Sequence, residues 1–225
     1  MGSTEPHGPH LPLDTDAILA AECGRRTGHL LEAAGVPAVV LPTIPYGVTR
    51  LAQEFDGGVT LRPGTLWSLV EDVLLSLQQD GVRQLVICNA HHEYEHDRIL
   101  RNICTDYCRR GEGLCQAIFP ERKSPGPNTT EEDCFGGMHE TSMMLAASPQ
   151  SVDWERVQSL EDVEFELPKP CAGKNRSLLE MGLHMGYIGA PRRATKEMGE
   201  RLLAEWAQDL VGGCVEVWPD LFESS

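Results

Sequence analysis

The sequence predicts an α/β fold with a mostly parallel sheet and helices on both faces. Segments of helical and strand spacing alternate along the chain, the order produced by parallel strands joined through right-handed crossovers. The strand Arg83 to Cys88 is apolar throughout Leu85–Cys88, as a strand covered on both faces must be. The chain has 225 residues, 41% of them hydrophobic, enough for the core of one α/β domain over 1–225.

The elements follow in order. Asp16 to Ala34 has helical spacing, with Ile18, Leu19, Cys23, Leu30 and Leu31 near one face and Gly35 as its cap. Ala38 to Leu41 reads as a short strand ended by Pro42, and Thr43 to Pro63 as a loop punctuated by Gly and Pro. Leu66 to Gln79 is a helix with a stripe of Leu66, Leu69, Val70, Val73, Leu74 and Leu77. After the strand Arg83 to Cys88 come a helix, Tyr94 to Arg110, and a strand, Gln116 to Phe119. Glu121 to Asp133 is polar and reads as a mobile loop, a candidate lid. Met138 to Ala147 and Ala194 to Val211 are helical, and Val215 to Trp218 reads as a short last strand.

Charge and cysteine usage exclude several classes. With 34 acids against 19 bases the net charge is −15, which argues against nucleic acid and anionic membranes as partners, since both need basic patches. An apolar run long enough to span a bilayer is missing, and so is a signal-peptide pattern, so a cytoplasmic protein is expected. The eight cysteines are scattered and resemble no secreted disulfide framework. Cys88 and Cys115 read as small buried hydrophobes; Cys104 and Cys108, four apart, lack the second pair that a metal site would need.

Chemistry concentrates in three segments. Glu5-Pro-His-Gly-Pro-His-Leu-Pro-Leu-Asp-Thr-Asp16 packs imidazoles and carboxylates into a non-helical path, a donor mixture suited to zinc or manganese. Glu5 and His7 are two apart and project to one side of an extended chain. Asp16 opens the first helix, where an N-cap role competes with a ligand role; the neighbouring Glu5 and His7 favour the ligand. His10 is a packed histidine or a partner that orients a ligand. The second segment, Asn89-Ala-His-His-Glu93, leaves a strand end, where α/β sheets place their ligands. His91 and Glu93 point one way, and His92 points elsewhere as a substrate contact or structural residue. Glu95, His96 and Asp97 begin the next helix, where acids are favoured by the dipole alone. The third segment is Gly136-Gly-Met-His-Glu-Thr-Ser142, whose Glu140 is a dipole-favoured acid or a functional one.

These motifs resemble the creatininase (creatinine amidohydrolase) family. Gly2 to Asp16 is similar to the family's opening signature, Asn89-Ala90-His91 to its "NxH" segment, and Glu140-Thr141-Ser142 to its "ETS" segment. Gly189-Ala190-Pro191 through Ala194-Thr195 and Gly199 is similar as well. The resemblance implies a three-layer α/β/α fold and two divalent metal ions, zinc, manganese or iron. Their ligands would be Glu5, His7, Asp16, His91 and Glu93, with Asp16 bridging. The chemistry implied is hydrolysis of a C–N bond of a small molecule, a cyclic or linear amide, by metal-activated water. Glu93, Glu140 or His139 would carry the proton, and a homo-oligomer, a hexamer, is implied.

The sequence departs from the family in three places. The family's histidine five residues before the "ETS" glutamate is Phe135 here. The creatinine-holding tryptophans have no counterpart between 90 and 150, which predicts that creatinine is a poor substrate. The apolar strand that precedes the signature in the family is missing, which points to a truncated or mis-assigned start or to a shortened member. Phe135 and the missing strand support an alternative: a catalytically altered or inactive member that binds metal or a small ligand.

Overall fold

Strands β1 (Gln84–Val86) and β2 (Gln116–Ile118) pair in parallel, Leu85 opposite Ala117, with helix α3 (Tyr94–Arg110) between them in sequence. The structure is a computed structural model, and residues 1–111, 116–118, 135–165 and 177–223 are described. β1 is shorter than the expected Arg83 to Cys88, and alternate residues of β1 and of the segment that continues it to Cys88 serve opposite layers, as the period of two requires. Leu85 and Ile87 pack with Leu66, Val70 and Leu74 of α2 (Pro63–Gln79) and with Ile99, Leu100 and Ile103 of α3. Val86 and Cys88 pack on the other side, against the cluster of α1 (Thr15–Ala33), α4 (Met138–Ala147) and α6 (Lys196–Val217). The result is the expected α/β arrangement of helix, strand and helix layers. A short helix α5 (Trp154–Ser159), which the sequence pattern did not single out, sets Val157 into the second cluster.

Several boundaries differ from expectation. Ala38 to Leu41 is not a strand and joins no ladder. Pro37 and Pro42 bracket it and supply no N–H for pairing; Val40 lies instead over Gly24 and Gly28 of α1, and Val39 is 87% exposed. Val215 to Trp218 is not a strand: α6 runs on to Val217 and stops before Pro219, because its buried stripe continues through Leu210 and Cys214. On α2 the buried stripe narrows to Leu66, Val70 and Leu74, with Leu69 exposed. Cys88 is only half-buried, while Cys104 is buried. Cys115 and the proposed lid Glu121 to Asp133 lie outside the described residues. No helix among the described residues is long and apolar enough to cross a membrane.

Two contacts seat α4, the helix that carries Glu140. Gly199 of α6 faces Ser142, whose carbonyl oxygen would stand 1.8 Å from a Cβ at position 199. Ser142 Oγ in turn accepts from Thr195 N at 3.0 Å, beside the N-terminus of α6. Gly199→Ala is therefore expected to cost about 1–3 kcal/mol of overpacking, against ~1 kcal/mol gained in helix propensity. Equilibrium urea denaturation measures the net loss; an unchanged midpoint would show that the helices separate freely.

Candidate metal centre

The opening loop turns back on itself before α1, with Glu5 N donating to Leu13 O at 2.9 Å. This turn sets Glu5 and His7 above Asp16, which rides on the first turn of α1. The segment after β1 brings in His91 and Glu93, and Glu93 is the cap of α3. The third contribution comes from α4. Gly136 adopts φ +62°, and a Cβ there would lie 2.8 Å from His7 O, so the lead-in to α4 rests on the backbone of His7. Gly136 N donates to Glu140 Oε2 at 2.6 Å and points that carboxyl inward.

The side chains converge. Ligand atoms of Glu5, His7 and Asp16 lie within 4.8 Å of one another, as do those of Glu5, His91 and Glu93. Glu5 belongs to both groups. Asp16 turns Oδ1 to His7 Nε2 at 3.2 Å and Oδ2 to His91 Nδ1 at 3.2 Å. His91 Nδ1 also meets Glu5 Oε1 at 3.0 Å. Glu140 Oε2 stands 3.7 Å from His7 Nε2. Glu5, His7, Asp16 and His91 are each at most 3% exposed.

The outer sides of these groups are held as well. His7 Nδ1–H donates to Glu5 O at 3.1 Å, and His91 Nε2–H donates to Val48 O at 2.8 Å. A carbonyl can only accept, so each imidazole turns its other nitrogen to the carboxylates. Ser3 Oγ donates to Asp16 Oδ2 at 2.6 Å, and Thr49 Oγ1 donates to Glu5. Glu93 Oε2 accepts from the backbone N–H of Arg50 at 2.6 Å and Leu51 at 3.2 Å. Sequence reasoning passed over Ser3, Val48 and Thr49, since main-chain and hydroxyl partners carry no signature.

Other predicted residues fall around this centre. His139 is buried beside Glu140 on α4 but belongs to neither converging group. His10 is buried, with Nε2 at 2.9 Å from Thr141 Oγ1. His92 points outward, half-exposed, toward Asp97. Phe135 stacks flat on His7, with ring centroids 5.0 Å apart. His96, set aside as a helix-start residue, is fully buried against His91 at 4.8 Å between ring centroids. It falls on the inward stripe of α3 with Ile99, Leu100 and Ile103, a periodicity that marks it as facing the core.

Charge is arranged to favour cations. Burial disfavours a charge on His7, but Asp16, Glu140 and Glu5 outweigh it and raise its pKa from 6.5 to about 10. His91 is likewise raised, with burial overridden by Glu5 and Asp16. Asp16 is held low, because His7 and His91 overcome the cost of its burial. Burial pushes Glu140 up to about 7, against the pull of His7.

Sequence comparison decides the family. The creatininase (creatinine amidohydrolase) pattern matches residues 1–213. The chain belongs to the creatininase family. Among curated relatives, the mycofactocin precursor peptide peptidase of Mycolicibacterium smegmatis is 29% identical over 222 residues, covering 96% of this chain and 81% of that protein. The creatinine amidohydrolase of Pseudomonas putida is 24% identical, covering 97% of this chain and 88% of its own length. A solved creatinine amidohydrolase superposes with a TM-score of 0.75 at 25% identity, covering 97% of this chain and 90% of that one. Creatininases of the same fold, at TM-score 0.73, have been solved as a Zn-Zn type mutant and as a manganese form. Metal-dependent amide hydrolysis is the chemistry of this family.

The donor set fits such ions: carboxylate oxygens and imidazole nitrogens, with each imidazole already oriented by a carbonyl. Cations must displace protons to bind there. Because His7 and His91 are raised, zinc loading at pH 7 is expected to release about two protons. Calorimetry in buffers of different ionisation enthalpy counts them. The sign for stability follows from the same shift. In the metal-free protein the His7 contribution is complete below 6.5 and fades as pH rises through about 10. Its melting temperature should therefore fall over that window.

Proposed function

We propose that the chain hydrolyses a C–N bond, other than a peptide bond, in a small amide or cyclic amide, using two divalent ions held by Glu5, His7, Asp16, His91 and Glu93. One observation carries this reading. Two imidazoles with fixed outer N–H groups face three carboxylates across two groups that share Glu5. The resemblance in sequence supports the same five residues. When bound, the ions lower the pKa of a water molecule and polarise the scissile carbonyl.

The protein residues do the remainder. Asp16, with one oxygen toward each imidazole, would help to hold both ions. Glu93, whose Oε2 is tied to the 50–51 backbone, would serve as a ligand, and that anchoring favours this role over carrying a proton. Glu140 fits the proton-carrying role: it faces the cluster, and its pKa of about 7 lets it accept and return a proton at neutral pH. His139 is assigned no direct role beside it.

A second reading has one observation in its favour. Phe135, flat against His7, offers no proton where the resemblance implies a histidine. The chain would then bind metal or a small ligand without turnover. One experiment separates the two: metal content of the purified protein, then turnover of zinc- and manganese-loaded enzyme on creatinine, other cyclic and linear amides, and peptides. The expected result is about two metal equivalents and turnover on a non-peptide amide, with creatinine poor or inert. Cleavage of peptides alone would overturn the non-peptide assignment, and full metal loading without any turnover would favour the second reading. We propose further that the protein is a homo-oligomer, a hexamer; light scattering that finds only the 24.8 kDa species would reject this.

A further inference from the structure

His96 lies outside the converging ligand groups, yet every polar atom of its ring is engaged. Val48 N–H donates to His96 Nδ1 at 3.2 Å. His96 Nε2 meets Asn89 Oδ1 at 3.2 Å. Asn89 Nδ2 donates to His91 O at 2.5 Å and to Asp97 Oδ1 at 3.1 Å. His91 Nε2 closes the path on Val48 O at 2.8 Å. The hydrogen bonds thus form a ring: from His91 through Asn89, His96 and the Val48 peptide back to His91. Its members are buried, with Val48 and His96 at 0%, Asn89 at 2% and His91 at 3% exposure.

The protons in this ring are determined at both ends. A backbone N–H only donates, so His96 Nδ1 must carry a lone pair. Asn89 Nδ2 faces two pure acceptors, so Asn89 Oδ1 is the atom turned to His96, and His96 Nε2 must carry the hydrogen. The two constraints are independent and give the same neutral tautomer. The Val48 peptide is then held by its N–H on one side and its carbonyl on the other, and the carbonyl fixes His91 with hydrogen on Nε2. Gly47 permits this approach, because a Cβ there would stand 2.7 Å from the His96 ring.

We propose that His96 is a positioning residue: by anchoring the Val48 peptide it fixes the tautomer and ring angle that present His91 Nδ1 to the carboxylate cluster. The role of His91 as a ligand rests on the function proposed above. Partners at this remove from a metal typically alter affinity by about 10–100-fold when removed.

The test combines zinc titration against a competing chelator with two-bond ¹H–¹⁵N spectra of the imidazoles. His96→Phe keeps a ring but offers neither acceptor nor donor. Zinc affinity should fall about 10–100-fold, and in the loaded protein, where zinc on Nδ1 leaves the hydrogen on Nε2 in either case, the pattern of His91 ¹⁵N shifts should move. His96→Asn, whose side-chain oxygen can take the Nδ1 position, should recover most of that loss. If the Phe variant does not fold, His96→Gln, which keeps a donor toward Asn89 but places no acceptor at Nδ1, carries the same expectation. A folded variant with lower melting temperature but unchanged zinc affinity and His91 pattern makes His96 a packing residue and overturns the proposal. If the wild-type protein takes up no zinc, the metal reading fails, and the metal-free spectrum judges the ring by itself. A pure Nε2–H pattern for His96 there supports it, and a tautomer mixture overturns it.

Discussion

Asp16→Asn is expected to strip the centre of metal and to destabilise the metal-free protein by about 3–5 kcal/mol at pH 7, the usual cost of breaking a buried ion pair. Asn keeps the shape and can still accept from Ser3. It leaves His7 and His91 with their charges facing Glu5 and Glu140 alone. The penalty has a pH signature. His7 loses its proton as pH rises through about 10, so wild type and variant should converge toward alkaline pH. Urea denaturation at pH 7 and pH 10, with zinc content by elemental analysis, checks all three expectations. An equal penalty at both pH values would mean that Asp16 acts through packing rather than charge.

Glu140→Gln is the second large effect. The amide fills the same space but cannot carry a proton. The expected result is a fall of about 10²–10⁴ in kcat, with zinc content unchanged and stability equal or higher, since a buried acid among other acids is removed. His139→Gln, one residue earlier on the same helix, should lose far less. Kinetics of both variants on whichever amide the wild type turns over decides between the two as proton carrier. If His139→Gln proves the more damaging, the assignment of Glu140 is wrong.

Much of this was legible in the residues. The helices α3 and α4 fall at the limits that their periodicity gives, because their stripes and breakers agree. Glu5, His7, Asp16, His91 and Glu93 could be picked out as donors by type and spacing, and the fold brings them together across more than seventy residues. Other features were hidden for physical reasons. Ala38 to Leu41 has the composition of a strand, but pairing depends on a neighbour that local sequence does not encode. Val215 and Val217 are β-branched yet helical, because the packing of the neighbouring Cys214 and Trp218 with Leu31 and Val36 outweighs propensity. His96 is masked in the sequence by its charged neighbours Glu95 and Asp97, although it falls in the apolar stripe of α3.

The peptide unit at Val48 has a consequence for how this protein should tolerate change. Its two polar atoms serve His96 and His91, while its isopropyl group only fills space. A mutational scan scored by side-chain type would record position 48 as an ordinary core site, forgiving toward Ile and mildly averse to Ala. Proline would stand apart from that series, because it removes the N–H without greatly changing bulk. Such an outlier would reveal that what is constrained at this position is the direction of the main chain, a property no table of side-chain similarities ranks.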